Sequence, residues 1–152
     1  MKGLNITTIA VTKTQIAGDR QANHNGGLKF RLKTKIHSFE NVIFYPKPFH
    51  IGLCGDVDQF ATILNFFDNP TAYKKPPKFT KGEGIILTGD GKIWTFWQAD
   101  TWTLVDQAFY AVGSGMNFAM GVMAAGGTAA EAVKYASTLD PNTGMGITKV
   151  DI

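Results

Sequence analysis

Short stretches in which apolar and polar positions alternate recur along the chain and predict β-strands. The clearest runs from Thr8 to Thr12, where β-branched residues dominate, as is typical of a half-buried strand. A hairpin is predicted where Gly89-Asp90-Gly91 separates two apolar stretches. The predicted strands are 8–12, 15–17, 42–45, 50–54, 85–87, 93–97, 109–112 and 146–150, with 22–27 as a polar loop and 30–39 as a strand pair or an extended arm.

Three helices are predicted from the spacing of apolar residues and from capping signals. Asp56 or Asp58 is placed to cap the first helix, whose apolar residues recur every three or four positions. Thr128, with Glu131 three residues later, forms a capping box for the third. The helices are predicted at 58–67, 117–125 and 128–139. This order of elements indicates an α+β sandwich, with helices packed on antiparallel sheets.

Composition narrows the classes of partner and compartment. The 152 residues suffice for one domain, and the net charge of +3 is mild. Lys74, Lys75 and Lys78 surround a Pro-Pro pair and read as a solvated loop, so no nucleic acid is expected as a partner. No apolar run approaches the roughly 20 residues of a membrane span, and no signal peptide is visible, which favours cytoplasmic synthesis. Cys54 is the one cysteine, so an internal disulfide is excluded.

Three segments resemble the proteasome β-subunit and its bacterial relative, the HslV-type peptidase that works with an ATP-dependent unfoldase. The segments occur along the chain in the same order as in that family. No single motif is specific, and the ordered set carries the resemblance. The segments are Thr7-Thr8-Ile9 with Ala17-Gly18-Asp19; Lys35-Ile36 with Gly52-Leu53-Cys54-Gly55 and Asp58; and Ala111-Val112-Gly113-Ser114-Gly115, Ala124-Ala125-Gly126, Ala129-Ala130-Glu131-Ala132, Asp140 and Thr143-Gly144. The resemblance implies the fold of the N-terminal nucleophile (Ntn) hydrolases, an αββα sandwich of two antiparallel sheets flanked by helices.

The resemblance also implies a catalytic set built on a threonine that becomes the N-terminus. Its hydroxyl is a poor nucleophile and needs a base, which the α-amine of the same residue can supply. Thr7 matches the nucleophile, Lys35 the lysine beside it and Asp19 the partner of that lysine. The other matching residues are Ser114, Asp140 and Thr143 in a second polar group and Gly55 at the oxyanion hole.

Each of these residues also has a purely structural interpretation. Thr7 and Thr8 suit a strand, Gly18-Asp19 suits a turn, and Ser114 could cap the helix that follows it. Cys54 suits the core. The histidines at 24, 37 and 50 lack metal-ligand spacing, so neither a metal nor another cofactor is expected.

Several features depart from the family pattern. Ile6 precedes Thr7, where the family usually has glycine at the cleaved bond, and its branched side chain could slow cleavage. A Pro/Lys-rich loop at 69–83 replaces the family's second long helix, and the segment 38–49 reads as an insertion. A reduced chain of this kind is similar to members found in phage genomes.

Two functions follow from these features. The first is a threonine-type endopeptidase with a leader at 1–6 and a single proteasome-like domain at 7–152, which cuts peptides after self-cleavage. The second is a non-catalytic structural or assembly protein, for example in a virion. Either would form a homo-oligomer, with an unfoldase or a virion as the partner. The expected contact surface combines Phe60, Phe66 and Phe67 with Trp94, Trp97 and Trp102.

Overall fold

Two antiparallel sheets, packed face to face, form the centre of the molecule. The computed structural model describes residues 7–23, 28–40, 45 and 47–152. The four-stranded sheet has the order β10-β1-β2-β11, and the five-stranded sheet has the order β5-β6-β7-β8-β9. A two-stranded ribbon, β3-β4, lies apart from both sheets. The strands are β1 Thr8–Thr12, β2 Gln15–Asp19, β3 Gln21–Asn23, β4 Lys29–Arg31, β5 Ile36–Phe39, β6 Phe49–Gly55, β7 Gly82–Thr88, β8 Ile93–Gln98, β9 Thr101–Val105, β10 Phe109–Gly113 and β11 Ile147–Asp151.

Three helices cover the outer faces of the two sheets. They are α1 Phe60–Asp68, α2 Met116–Ala124 and α3 Ala129–Leu139. Helix α1 follows a short 3₁₀ turn at Val57–Gln59, which Asp56 caps by accepting a hydrogen bond from the Asp58 N–H. The side chain of Thr128 caps α3 by accepting a hydrogen bond from the Glu131 N–H. The first and third helices therefore begin next to the capping residues that the sequence indicates.

The alternation along the central strands divides the core into three apolar layers. Ile9 and Val11 face the space between the sheets, whereas Ala10 and Ala17 face α2 and α3. Small side chains on the helix-facing side let the helices approach the sheet closely. On the far side, α1 packs on the five-stranded sheet through an aromatic-rich layer that includes Phe49. The layers are thus helix, sheet, sheet and helix pair, and the predicted αββα sandwich is confirmed.

Two glycines make room for side chains of the opposing sheet within the apolar layer between the sheets. A Cβ added to Gly52 would lie 2.5 Å from Ile9 Cγ2 and 3.1 Å from Ile85 Cγ2. A Cβ on Gly18 of β2 would lie 3.2 Å from Ile36 Cδ1 on β5 of the other sheet. These contacts fix the position of β1 over β6 and β7. They set the geometry at the end of the sandwich where the chain enters β1.

Several sequence predictions need correction. The first helix exposes none of its phenylalanines, because Phe60, Phe66 and Phe67 are 8%, 3% and 1% exposed and belong to the core. The contact surface expected there is therefore wrong in these residues. Strand β9 was not predicted, and β3 lies partly in a segment predicted as loop. The predicted strand 42–45 falls, apart from Tyr45, outside the described residues, as do the leader 1–6 and the histidine at 24.

The three tryptophans differ in their exposure. Trp97 is 57% exposed. Trp94 and Trp102 are half-buried and pack against the aromatic layer under α1. Within the described part of the chain, no helix is long and apolar enough to cross a membrane.

Candidate active site

Thr7, Asp19 and Lys35 meet in a fully enclosed cluster at the start of β1. Lys35 Nζ donates to Thr7 Oγ1 and lies 2.9 Å from Asp19 Oδ1. The Thr7 hydroxyl donates to the same carboxylate oxygen. Thr7 and Asp19 are 0% exposed and Lys35 is 1% exposed. The three side chains therefore form one buried network around a hydroxyl group.

Asp19 is held by donors from several segments of the chain. Its Oδ1 accepts from the Thr8 N–H at 3.2 Å, and its Oδ2 accepts from the Gln21 N–H at 3.3 Å and the Gly144 N–H at 3.0 Å. Backbone donors of this kind hold a carboxylate in place. The Asp19 side chain thus has a fixed orientation toward Thr7 and Lys35.

The Lys35 ammonium has three N–H groups and three acceptors. Besides Thr7 Oγ1 and Asp19 Oδ1, it donates to the carbonyl oxygen of Gln21 at 2.5 Å. Burial lowers the pKa of Lys35 below that of an exposed lysine, although Asp19 works in the opposite direction. A lysine with a lowered pKa beside a hydroxyl can stabilise the alkoxide or exchange a proton with it.

A second polar group lies on the other side of Thr7 and is built on Ser114. The Thr7 N–H donates to Ser114 Oγ at 3.3 Å, and Ser114 Oγ contacts Asp140 Oδ2 at 2.5 Å. Thr143 Oγ1 donates to the same Asp140 oxygen at 2.6 Å. Burial acts to raise the pKa of the Asp140 carboxyl, but the hydrogen bonds from Ser114 and Thr143 hold it below its ordinary value. Asp140 therefore presents a carboxylate to Ser114, next to the Thr7 nitrogen.

The two groups are connected through Thr8, whose N–H donates to Asp19 Oδ1 and whose hydroxyl contacts Thr143. Thr8 Oγ1 lies 2.7 Å from Thr143 Oγ1. Because the Thr143 proton is directed at Asp140, the Thr8 hydroxyl must be the donor in this pair. A Cβ on Gly115 would lie 2.2 Å from Thr8 Oγ1, so glycine is required beside the Thr8 and Thr143 hydroxyls. The polar residues around Thr7 form a continuous network.

Gly55 lies at the end of β6 with φ +123°, a conformation that favours glycine. A Cβ there would lie 2.2 Å from the Lys81 carbonyl oxygen. Backbone geometry alone therefore calls for glycine at this position. Among the described residues, no hydrogen bond joins Gly55 to Thr7.

Sequence reasoning missed three contributors to the network. Gln21 offers its carbonyl oxygen to Lys35, Gly144 offers its N–H to Asp19, and Thr8 offers its hydroxyl to Thr143. Thr8 and Gly144 lie within the matching motifs, which is a signal that could have indicated them. Nothing in the sequence marks Gln21, because every residue has a carbonyl group.

Cys54 is fully buried near Lys35, and its thiol is not reactive. Burial, together with the negative charge of Glu83, raises the pKa of the Cys54 thiol far above its ordinary value. Within the described residues, no group of three or more His, Cys, Asp or Glu side chains is placed to hold a metal ion.

Comparison with known proteins shows similarity at the level of the fold. No family model matches the chain, and no curated protein matches it. The structure of BPH from Thiobacillus denitrificans in complex with epoxomicin is 16% identical, with a TM-score of 0.70 over 96% of this chain and 97% of that one. HslV from Trypanosoma brucei is 14% identical, with a TM-score of 0.67 over 95% and 99%.

A third similar structure is a helical assembly of the Anbu complex from Pseudomonas aeruginosa. It is 8% identical, with a TM-score of 0.71 over 95% of this chain and 80% of that one. The chain therefore has the Ntn-hydrolase fold of the proteasome-like proteins, at low sequence identity.

Proposed function

We propose that this protein is a threonine-type endopeptidase of the proteasome-like kind, with Thr7 as the nucleophile. The contact of Lys35 Nζ with both Thr7 Oγ1 and Asp19 inside a fully buried network carries the proposal. Burying a lysine and an aspartate is unfavourable unless they are paired and hydrogen-bonded. A hydroxyl placed between the two charged groups is the arrangement that activating a weak nucleophile requires.

The proposed base is the α-amine that Thr7 acquires when residues 1–6 are removed. In the chain that begins at Met1, the Thr7 nitrogen is an amide and cannot accept a proton. Its N–H already points at Ser114 Oγ, 3.3 Å away, and Asp140 orients that hydroxyl. A free amine at the same position would titrate near ~7.7–8.0 and could take the proton of the Thr7 hydroxyl.

Each remaining residue has a role in this proposal. Lys35 lowers the energy of the Thr7 alkoxide, and Asp19 fixes Lys35. Ser114, Asp140 and Thr143 position the amine and a water molecule. The Gly55 N–H is proposed as the oxyanion donor, and loss of one such donor costs about 3–4 kcal/mol of transition-state stabilisation in hydrolases.

Hydrolysis by matched forms of the chain tests the proposal. A form that begins at Thr7, released from a cleavable fusion, should hydrolyse short peptides, and Thr7→Ala in that form should abolish activity. The full-length chain should be inactive, because its Thr7 nitrogen is an amide and cannot accept a proton. Epoxomicin, which was bound in the similar BPH structure, should raise the Tm of the Thr7 form and not that of Thr7→Ala.

A folded Thr7 form that is inert on a broad peptide set and unaffected by epoxomicin would contradict the enzymatic function. The non-catalytic role, as a structural or assembly protein, would then stand.

We propose further that the chain forms a homo-oligomer, and an unfoldase or a virion is the proposed larger partner. The Anbu complex with this fold forms a helical assembly. Trp97, Phe118 and Leu139 are 57%, 42% and 63% exposed, which leaves large apolar side chains available for contacts. Sedimentation at micromolar concentration should show a species larger than a monomer. A monomer at every concentration tested would contradict self-assembly.

A further inference from the structure

Glu83 is a half-buried carboxylate at the same end of the sandwich as Thr7, and the mechanism above does not use it. Strand β7 places Glu83, Ile85 and Leu87 on one face, because side chains two residues apart share a face. Ile85 and Leu87 belong to the apolar layer between the sheets. Glu83 therefore continues that layer at its open end, where an apolar residue would otherwise be expected.

The register of the strands places Glu83 next to the cluster around Lys35. Glu83 lies directly opposite Cys54 in the β6–β7 ladder, so the two side chains share a face about 5 Å apart at Cβ. Cys54 is close enough to both Lys35 and Asp19 to be affected by their charges. Glu83 is thus separated from the buried network by the width of one side chain.

The opposing sheet brings Thr7 to the same place. Ile9 on β1 contacts the position of Gly52 on β6 and lies beside Ile85 on β7. Thr7 is two residues before Ile9 on the same face of the chain, and Glu83 is two residues before Ile85. Both steps lead toward the end of the sandwich that holds Lys35. The Thr7 hydroxyl and the Glu83 carboxylate therefore line the same end of the inter-sheet space.

No cation of the described chain neutralises Glu83. Its carboxylate makes no hydrogen bond or ion pair with the described residues. All three N–H groups of the Lys35 ammonium donate to other acceptors. Lys81 Nζ lies 4.0 Å from Asp56 Oδ2, with which it forms an ion pair. A partly desolvated charge without a partner is unfavourable, and a half-buried one can still be reached from solvent. The group that would satisfy this carboxylate is a cation supplied by a ligand.

We propose that Glu83 is a specificity-determining residue that selects peptides with a lysine or arginine side chain beside the cleaved bond. This inference rests on the proposed peptidase function. An arginine side chain suits the position because its long stem can follow the apolar inner face of β7 while its guanidinium reaches the carboxylate.

The kinetic test uses the form that begins at Thr7 and acetylated peptides that differ in one residue. Arginine, leucine or glutamate is placed on either side of the cleaved bond in turn. The arginine peptides should have the highest kcat/KM. Glu83→Gln should lower kcat/KM for them about ten- to a hundredfold while changing the leucine peptides less than about threefold. Glu83→Lys should favour the glutamate peptides.

Two controls isolate the side-chain effect. Asp106 is exposed and follows the last residue of β9, at the end of the five-stranded sheet away from Glu83. Asp106→Asn removes one negative charge there and should leave the arginine preference unchanged. A leucine peptide with a free N-terminus tests whether the cation could instead be a peptide α-ammonium, and it should gain nothing over its acetylated form. Equal losses on arginine and leucine peptides, or an unchanged preference in Glu83→Gln, would overturn the proposal.

A binding measurement separates this inference from the proposed hydrolysis. Calorimetry with the same form carrying Thr7→Ala should give a lower Kd for the acetylated arginine peptide than for the leucine peptide. Glu83→Gln should remove most of that difference. Equal affinities for the two peptides would overturn the role of Glu83 even if hydrolysis occurs. If the arginine peptide binds more tightly but the form that begins at Thr7 hydrolyses no peptide, Glu83 remains a recognition residue and the catalytic role of Thr7 is rejected.

Discussion

Removing the carboxylate charge of Asp19 should destabilise the fold far more than removing an exposed charge. In Asp19→Asn, the Lys35 ammonium would be buried without its counter-charge, and an amide would face backbone N–H donors of Gln21 and Gly144. Breaking a buried ion pair from one side costs about 3–5 kcal/mol of unfolding free energy. For a domain of this size that corresponds to a fall in Tm of roughly 6–20 °C.

Urea unfolding, followed by the signal of the three tryptophans, measures this loss directly. The double variant Asp19→Asn/Lys35→Met should recover at least about half of it, because the unpaired charge is then gone. Lys47→Met is the control, since Lys47 is exposed and pairs with Asp90 at the surface, and it should change stability by less than about 1 kcal/mol. A loss below about 1 kcal/mol in Asp19→Asn, or no recovery in the double variant, would refute the buried pair.

Three further perturbations test other parts of the structure by thermal or urea unfolding. Gly52→Ala should destabilise the fold by about 1–3 kcal/mol, because its Cβ would lie 2.5 Å from Ile9 Cγ2. Gly121→Ala in α2, with nothing within 4 Å of the added Cβ, should stabilise it by up to about 1 kcal/mol. The opposite order of stabilities would contradict the packing of the sheets. Thr128→Ala should cost about 1 kcal/mol and Thr128→Ser little, and equal losses would exclude the cap. The pKa of Lys35 in the folded chain lies below its ordinary 10.5, so between these two pKa values the unfolded chain binds more protons and the free energy of unfolding should rise with pH. Lys35→Met should flatten that rise. An unchanged dependence of the unfolding free energy on pH in Lys35→Met would contradict the lowered pKa.

The layered fold could be predicted because its signals are local. The alternation in 8–12 determines which face of β1 meets the other sheet, and the Thr128–Glu131 pair fixes the start of α3. Strand β9 was not predicted although Thr101–Val105 begins with alternating polar and apolar residues, which is a strand signal. It lies at the edge of the five-stranded sheet and none of its residues is buried, so no apolar run marks it in the sequence. The phenylalanines of α1 were assigned to the surface because the sequence did not show that the five-stranded sheet offers an aromatic face to bury them.

The candidate site could be predicted only in part. The pattern of residues indicated Thr7, Asp19 and Lys35, but their meeting depends on β2 and the residue before β5 converging on the start of β1. The carbonyl of Gln21 and the charge of Glu83 acquire meaning only from strand register. Neither position carries a motif, so sequence alone gave no reason to choose it.

The measurement that bears most directly on the proposed mechanism compares two chains that differ by one residue. One begins at Thr7 and the other at Ile6, so both keep the hydroxyl, Lys35 and Asp19 while only the first has a free amine on Thr7. Initial rates on the same arginine peptide should differ by at least about a hundredfold in favour of the first, because a general base contributes roughly 10²–10⁴-fold. Equal rates would show that the Thr7 amine is not the base, and no hydrolysis by either folded chain would reject the peptidase altogether.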